Sequence, residues 1–151
     1  MNKLQIYADQ TKLTVNIEKT KCMIFHRGRC PNYNFFFQGN KLENCNNFTY
    51  LGIVFTSRLS SAKHVKYIIS KCNSRIGYLF SKLPLKDIPI HVALLIFNTY
   101  ILPIITYGLP IWFPELKESS KCQLNSVYTK FIKRYLGIPN SSRVLHRLMT
   151  Y

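Results

Sequence analysis

The chain has 151 residues, enough for a sizeable core, and at 47% apolar and 14% aromatic content it reads as a folding chain, not a disordered one. Its 21 Lys and Arg against 6 Asp and Glu give a net charge of +15, the electrostatic footprint of a partner rich in phosphate. Five cysteines at wide, irregular spacing and four scattered histidines exclude a zinc motif, and an apolar signal segment is missing from the first residues, so free thiols and an intracellular setting, cytoplasm or nucleus, are expected.

In chain order, residues 2–11 read as the last turns of a helix, with Leu4, Tyr7 and Ala8 on roughly one face. Residues 12–16 and 21–25 are short apolar runs around the polar Ile17-Glu18-Lys19-Thr20, which predicts a β-hairpin. Gly28 and Pro31 mark a loop. Residues 33–37, with three consecutive phenylalanines, turn at Gln38-Gly39-Asn40 towards Lys41-Leu42 as a second hairpin. Residues 48–55 alternate faces and predict one strand buried on both sides, with Gly52 allowing close backbone approach.

The period then changes. Ser60 or Ser61 offers an N-cap, and Val65, Ile68, Ile69, Cys72, Ile76, Leu79, Phe80 and Leu83 form one helical stripe. Pro84 stops that helix and Pro89 suits the start of the next, which runs to Pro103; a further piece over 104–112 is disturbed by Gly108 and Pro110. A last long helix begins near Lys117, carries Leu124, Val127, Phe131, Ile132 and Leu136 on its apolar face, and stops at Gly137 and Pro139. Ser141 or Ser142 is the start of one more helix. The order is strands first and helices second: an α+β chain whose antiparallel hairpins occupy 1–58 and whose helical bundle occupies 59–151. Residues 92–114 contain no charge over 23 positions, long enough to cross a bilayer as one helix. A small membrane protein with one span at about 92–112 is therefore the alternative reading. Its internal prolines, and basic residues on both sides, favour a buried core instead.

With the order in hand, Asn16-Ile17-Glu18-Lys19-Thr20-Lys21 before Met23-Ile24-Phe25, then Gly39, Leu42-Glu43 and Phe48-Thr49-Tyr50-Leu51-Gly52, resemble the distal palm of non-LTR (LINE-type) retrotransposon reverse transcriptases. Tyr100-Ile101-Leu102-Pro103-Ile104-Ile105-Thr106-Tyr107-Gly108, ending at Trp112, resembles the helical thumb of that family, and Lys133-Arg134-Tyr135-Leu136-Gly137-Ile138-Pro139 is similar to a run beyond it. The resemblance implies that Lys19 lies near the phosphates of an incoming nucleotide, where a cation offsets charge on departing pyrophosphate. It implies that Phe48, Tyr50, Leu51 and Gly52 correspond to the primer grip. Each also fits a plainer role, a turn lysine and a core strand.

The family's catalysis needs carboxylates that hold two metal ions. They belong upstream of the lysine motif, and Tyr7-Ala8-Asp9 followed by Gln10 is not the Tyr-Ala-Asp-Asp turn they come from. The expectation is a truncated reverse transcriptase piece with no catalytic residue, no metal site and no cofactor of its own, although the parent enzyme would use Mg. No small-molecule ligand is expected. The expected partner is the backbone of an RNA or DNA template–primer, met by Lys63, Lys66, Lys71, Arg75, Lys121, Lys130, Lys133 and Arg134. A free-standing basic RNA-binding module ranks last, because no RRM, KH or zinc signature is present.

Overall fold

The structure, a computed structural model, describes residues 2–30, 32–114 and 116–139. It is mixed α+β, with small strand pairs early and a helical C-terminal region. Its contacts divide into two compact units, Met1–Ser60 and Ser61–Tyr151. The helix expected from Ser141 or Ser142 lies outside the described residues.

The first unit opens with helix α1 (Asn2–Thr11), which includes Tyr7 and Asp9. Lys12, at φ 55°, ends it, and the Leu13 amide returns to the Ala8 carbonyl at 3.0 Å. The hairpin expected from 12–16 and 21–25 does not form. Residues 16–20 close on themselves instead: the Thr20 amide donates to the Asn16 and Ile17 carbonyls at 3.0 and 3.1 Å, a helical kind of turn that does not send the chain back alongside itself. Strand β1 (Lys21–Cys22) pairs in parallel with β4 (Glu43–Asn44), where the Lys21 ammonium sits 3.0 Å from the Glu43 carboxylate. Between them, β2 (Phe36–Phe37) and β3 (Asn40–Lys41) form the expected second hairpin around Gln38-Gly39. Ala8, Phe37 and Leu42 are the buried centre, with Val15, Ile17, Cys22 and Phe35 packed on it.

Residues 48–55 are not one strand. They belong to a hairpin of β5 (Asn47–Tyr50) and β6 (Ile53–Thr56), with Tyr50 opposite Ile53. Leu51 and Gly52 have φ of 46° and 79°, the positive pair that a two-residue type I′ turn requires. The residues of β5 are exposed, whereas Ile53 and Thr56 of β6 are buried.

In the second unit, α2 (Ala62–Lys82) buries Val65, Ile68, Cys72, Ile76 and Leu79, most of the expected stripe. Leu83 falls outside it and is exposed. Ser61 does not act as the side-chain cap: its own backbone is helical and its hydroxyl donates to the Trp112 carbonyl at 3.0 Å, tying the helix start to a residue 51 positions away. The uncharged stretch forms three helices, α3 (Ile90–Tyr100), α4 (Leu102–Thr106) and α5 (Leu109–Trp112). Pro103 opens α4, and Gly108 turns with φ 63°. The single span is thus not formed, and among the described residues no helix is long and apolar enough to cross a membrane.

Helix α6 (Glu118–Tyr135) supplies Leu124, Val127 and Phe131 to the same core; Ile132 is half-buried and Leu136 exposed. Phe131 meets Phe80 and Phe97 at ring distances of 5.4 and 5.0 Å. The end of α6 is doubly closed. The Ile138 amide reaches the Lys133 carbonyl at 2.8 Å and the Gly137 amide reaches that of Arg134 at 3.3 Å, the Schellman pattern, with Gly137 at φ 69°.

Candidate nucleic-acid interface

Helices α2 and α6 carry nine cations: Lys63, Lys66, Lys71, Arg75 and Lys82 on one, Lys121, Lys130, Lys133 and Arg134 on the other. Glu118 is their only acid. The helices pack against each other, and their contacts advance together: Phe131 and Arg134 lie late on α6 and meet Phe80 and Gly77 late on α2. Residues 66–73 and 123–130 meet earlier along both, so the two helices run parallel.

Along that seam lies an open groove of about 470 Å³, lined by Lys66, Ile69, Ser70 and Asn73 from α2 and by Gln123, Ser126 and Lys130 from α6. Every lining side chain but Ile69 is a hydrogen-bonding group or a cation. No carboxylate lines it, and among the described residues neither Lys66 nor Lys130 has an ion-pair partner. Further along the seam the Arg134 guanidinium lies over the Phe80 ring, 4.9 Å from its centre, and beside Gly77. Lys66, Lys130 and Arg134 therefore share one seam.

The other expected cations go elsewhere. At 100° per residue, Lys71 and Arg75 fall on the far flank of α2, across the buried stripe from Lys66. The Lys71 ammonium is 4.5 Å from the Tyr67 ring centre. Lys121 faces away from the seam: it pairs with Glu118 at 2.6 Å and stands 5.7 Å from the Phe113 ring. Lys63 and Lys133 lie on the outer surfaces, one exposed and one half-buried.

Lys19 is exposed in its turn, and the residues around it explain the local pattern. The Asn16 side-chain oxygen accepts from the Lys19 amide at 3.0 Å, and the Thr20 hydroxyl donates to the Asn16 carbonyl at 2.7 Å. Asn and Thr thus fix the backbone while the lysine side chain stays in solvent. Phe48 and Tyr50 are exposed on β5, and Leu51, at the hairpin tip, is 71% exposed.

Ser70, Asn73, Gln123 and Ser126 were not singled out from sequence. The signal was present, since they continue the helical rows of Lys66 and Lys130 at spacings of three, four and seven. Among the described residues no three His, Cys, Asp or Glu side chains gather where an ion could be held.

Comparison with protein-family models, with curated proteins and with solved structures finds no match.

Proposed function

We propose that this chain binds the sugar-phosphate backbone of nucleic acid along the α2–α6 seam, as a palm-and-thumb-like portion of a non-LTR reverse transcriptase. The observation that carries the binding is the seam itself, where Lys66 and Lys130 flank a groove of hydroxyl and amide side chains with no carboxylate in its lining. Cations of this kind neutralise phosphates without reading bases, while Ser, Asn and Gln side chains hydrogen-bond phosphate oxygens and sugars. The ordered motifs carry the family reading. Lys19 in its turn and Phe48, Tyr50 and Leu51 at the β5–β6 hairpin are exposed, as contact with a nucleotide phosphate or a primer end demands. The reading assigns the chain no nucleotidyl transfer of its own.

Salt titration of binding to a primer–template duplex tests this. The double variant Lys66→Gln/Lys130→Gln should flatten the slope of log affinity against log salt by nearly 2, since each duplex phosphate contact contributes about 0.9. Lys71→Gln/Arg75→Gln, on the other flank, should change it less. An unchanged slope in the seam variant sinks the proposal, and metal-dependent primer extension would overturn the non-catalytic part.

A further inference from the structure

A second basic cluster lies in the first unit, built from two segments that sequence separates. His26, Arg27, Gly28 and Arg29 on one loop and Arg58 on another line a shallow cavity of about 440 Å³. Backbone bonds hold the two loops together. The His26 amide donates to the Ser57 carbonyl at 3.0 Å, and the Ser57 amide donates to that of Asn46 at 2.9 Å. The turn bearing Arg58 is closed from within: the Ser60 amide donates to the buried Thr56 hydroxyl at 2.8 Å, and the Leu59 amide to the Thr56 carbonyl at 2.8 Å. On the other loop, Gly28 at φ 86° makes the bend. The His26 Nδ1 is 3.1 Å from the Gly28 carbonyl; a carbonyl only accepts, so Nδ1 carries the hydrogen.

Gathering three guanidinium groups around one depression costs mutual repulsion. Among the described residues no carboxylate pairs with Arg27, Arg29 or Arg58 to offset it. An anion with several oxygens would, through the planar, two-pronged donors that suit phosphate. The lining holds three guanidinium groups and, apart from the His26 imidazole, no ring for a base to stack on, so it favours phosphate over base sequence.

We infer that Arg27, Arg29 and Arg58 form a phosphate-binding pocket that holds the backbone of a single nucleic-acid strand, separately from the α2–α6 seam. The inference rests on the reading of the chain as a backbone binder, but on different residues, so the two fail independently.

The test is fluorescence anisotropy of the full chain with a labelled single-stranded 12-mer of mixed sequence, across a salt series. Arg27→Gln/Arg29→Gln/Arg58→Gln should weaken binding at least tenfold at low salt and flatten the salt slope by about 2, from about 0.7 per single-strand contact. Arg27→Lys/Arg29→Lys/Arg58→Lys keeps the charge but loses the forked donors, and should fall between. If the glutamine variant does not fold, the lysine variant decides: wild-type affinity there overturns the inference. So does an equal loss in the charge control Lys3→Gln/Lys12→Gln/Lys41→Gln. Run in parallel, Lys66→Gln/Lys130→Gln reports on the seam alone. Calorimetric titration with tripolyphosphate separates the source. Arginine-dependent binding of tripolyphosphate with arginine-independent binding of the 12-mer would assign the pocket to a free polyphosphate and overturn the strand.

Discussion

His64 is 2% exposed, the most deeply buried titratable ring among the described residues, and forms a T-shaped pair with Trp112, ring centres 5.2 Å apart. Burial, and then the nearby Lys71 ammonium, hold its pKa below the usual 6.5. The folded state therefore binds fewer protons at this ring than the unfolded chain does. Its contribution to stability is complete above about pH 6.5 and is lost as pH falls through that value towards the lowered pKa. Thermal melts should show a lower midpoint at pH 5 than at pH 7.5, and His64→Gln should narrow that gap; an identical gap in the variant would remove His64 as the cause. Cys72, about two turns further along α2, has its thiol pushed up to about 11 by burial, which leaves it a small apolar side chain with little thiolate at neutral pH.

At the level of elements, the strain of the β5–β6 hairpin falls on one residue of its two-residue turn, Leu51. Leu51 occupies the left-handed region, which costs a non-glycine residue about 1–2 kcal/mol and which Asn tolerates better. Leu51→Asn should raise stability by up to about 1 kcal/mol and Gly52→Ala should lower it by about 1–2 kcal/mol, both read as shifts of the urea midpoint at unchanged slope. A Leu51→Asn variant no more stable than wild type would argue against the type I′ turn. The same hairpin marks where sequence was least legible. Alternation over 48–55 suits a long strand and a tight hairpin equally, and the X-Gly pair that decides between them carries Leu, not Asn, at the first position. The residues 12–25 misled for another reason. A two-residue strand such as Lys21–Cys22 has too little pattern to name its partner, and its partner was Glu43–Asn44, parallel and 22 residues on. By contrast α2 and α6 were legible because 21 and 18 residues of amphipathic period repeat the same message several times. Of the candidate site, Lys66 and Lys130 stand out in the sequence by their charge, but that they flank one groove depends on how the helices pack. Arg58 joins Arg27 and Arg29 only through backbone bonds between loops, which no local pattern announces.

Across the whole molecule the positive charge is distributed over both units, with 8 basic residues in 1–59 and 13 in 60–151. The broken stretch over α3, α4 and α5 has a consequence for the order of folding. These helices have 11, 5 and 4 residues, below the roughly 12–15 at which an isolated helix becomes even marginally populated. Among the described residues of this unit only α2 and α6 exceed that length, and Phe97, Ile101 and Trp112 find their burial in the core that these two share. The expected order is a nucleus of α2 against α6, with the middle segment condensing onto it. Pulse-labelled hydrogen exchange during refolding should protect amides of α2 and α6 before those of α3–α5; early protection in α3–α5 would reverse the order. On that order the apolar stretch, which on length alone promised the most autonomous helix in the chain, takes its shape after the two basic helices and from them.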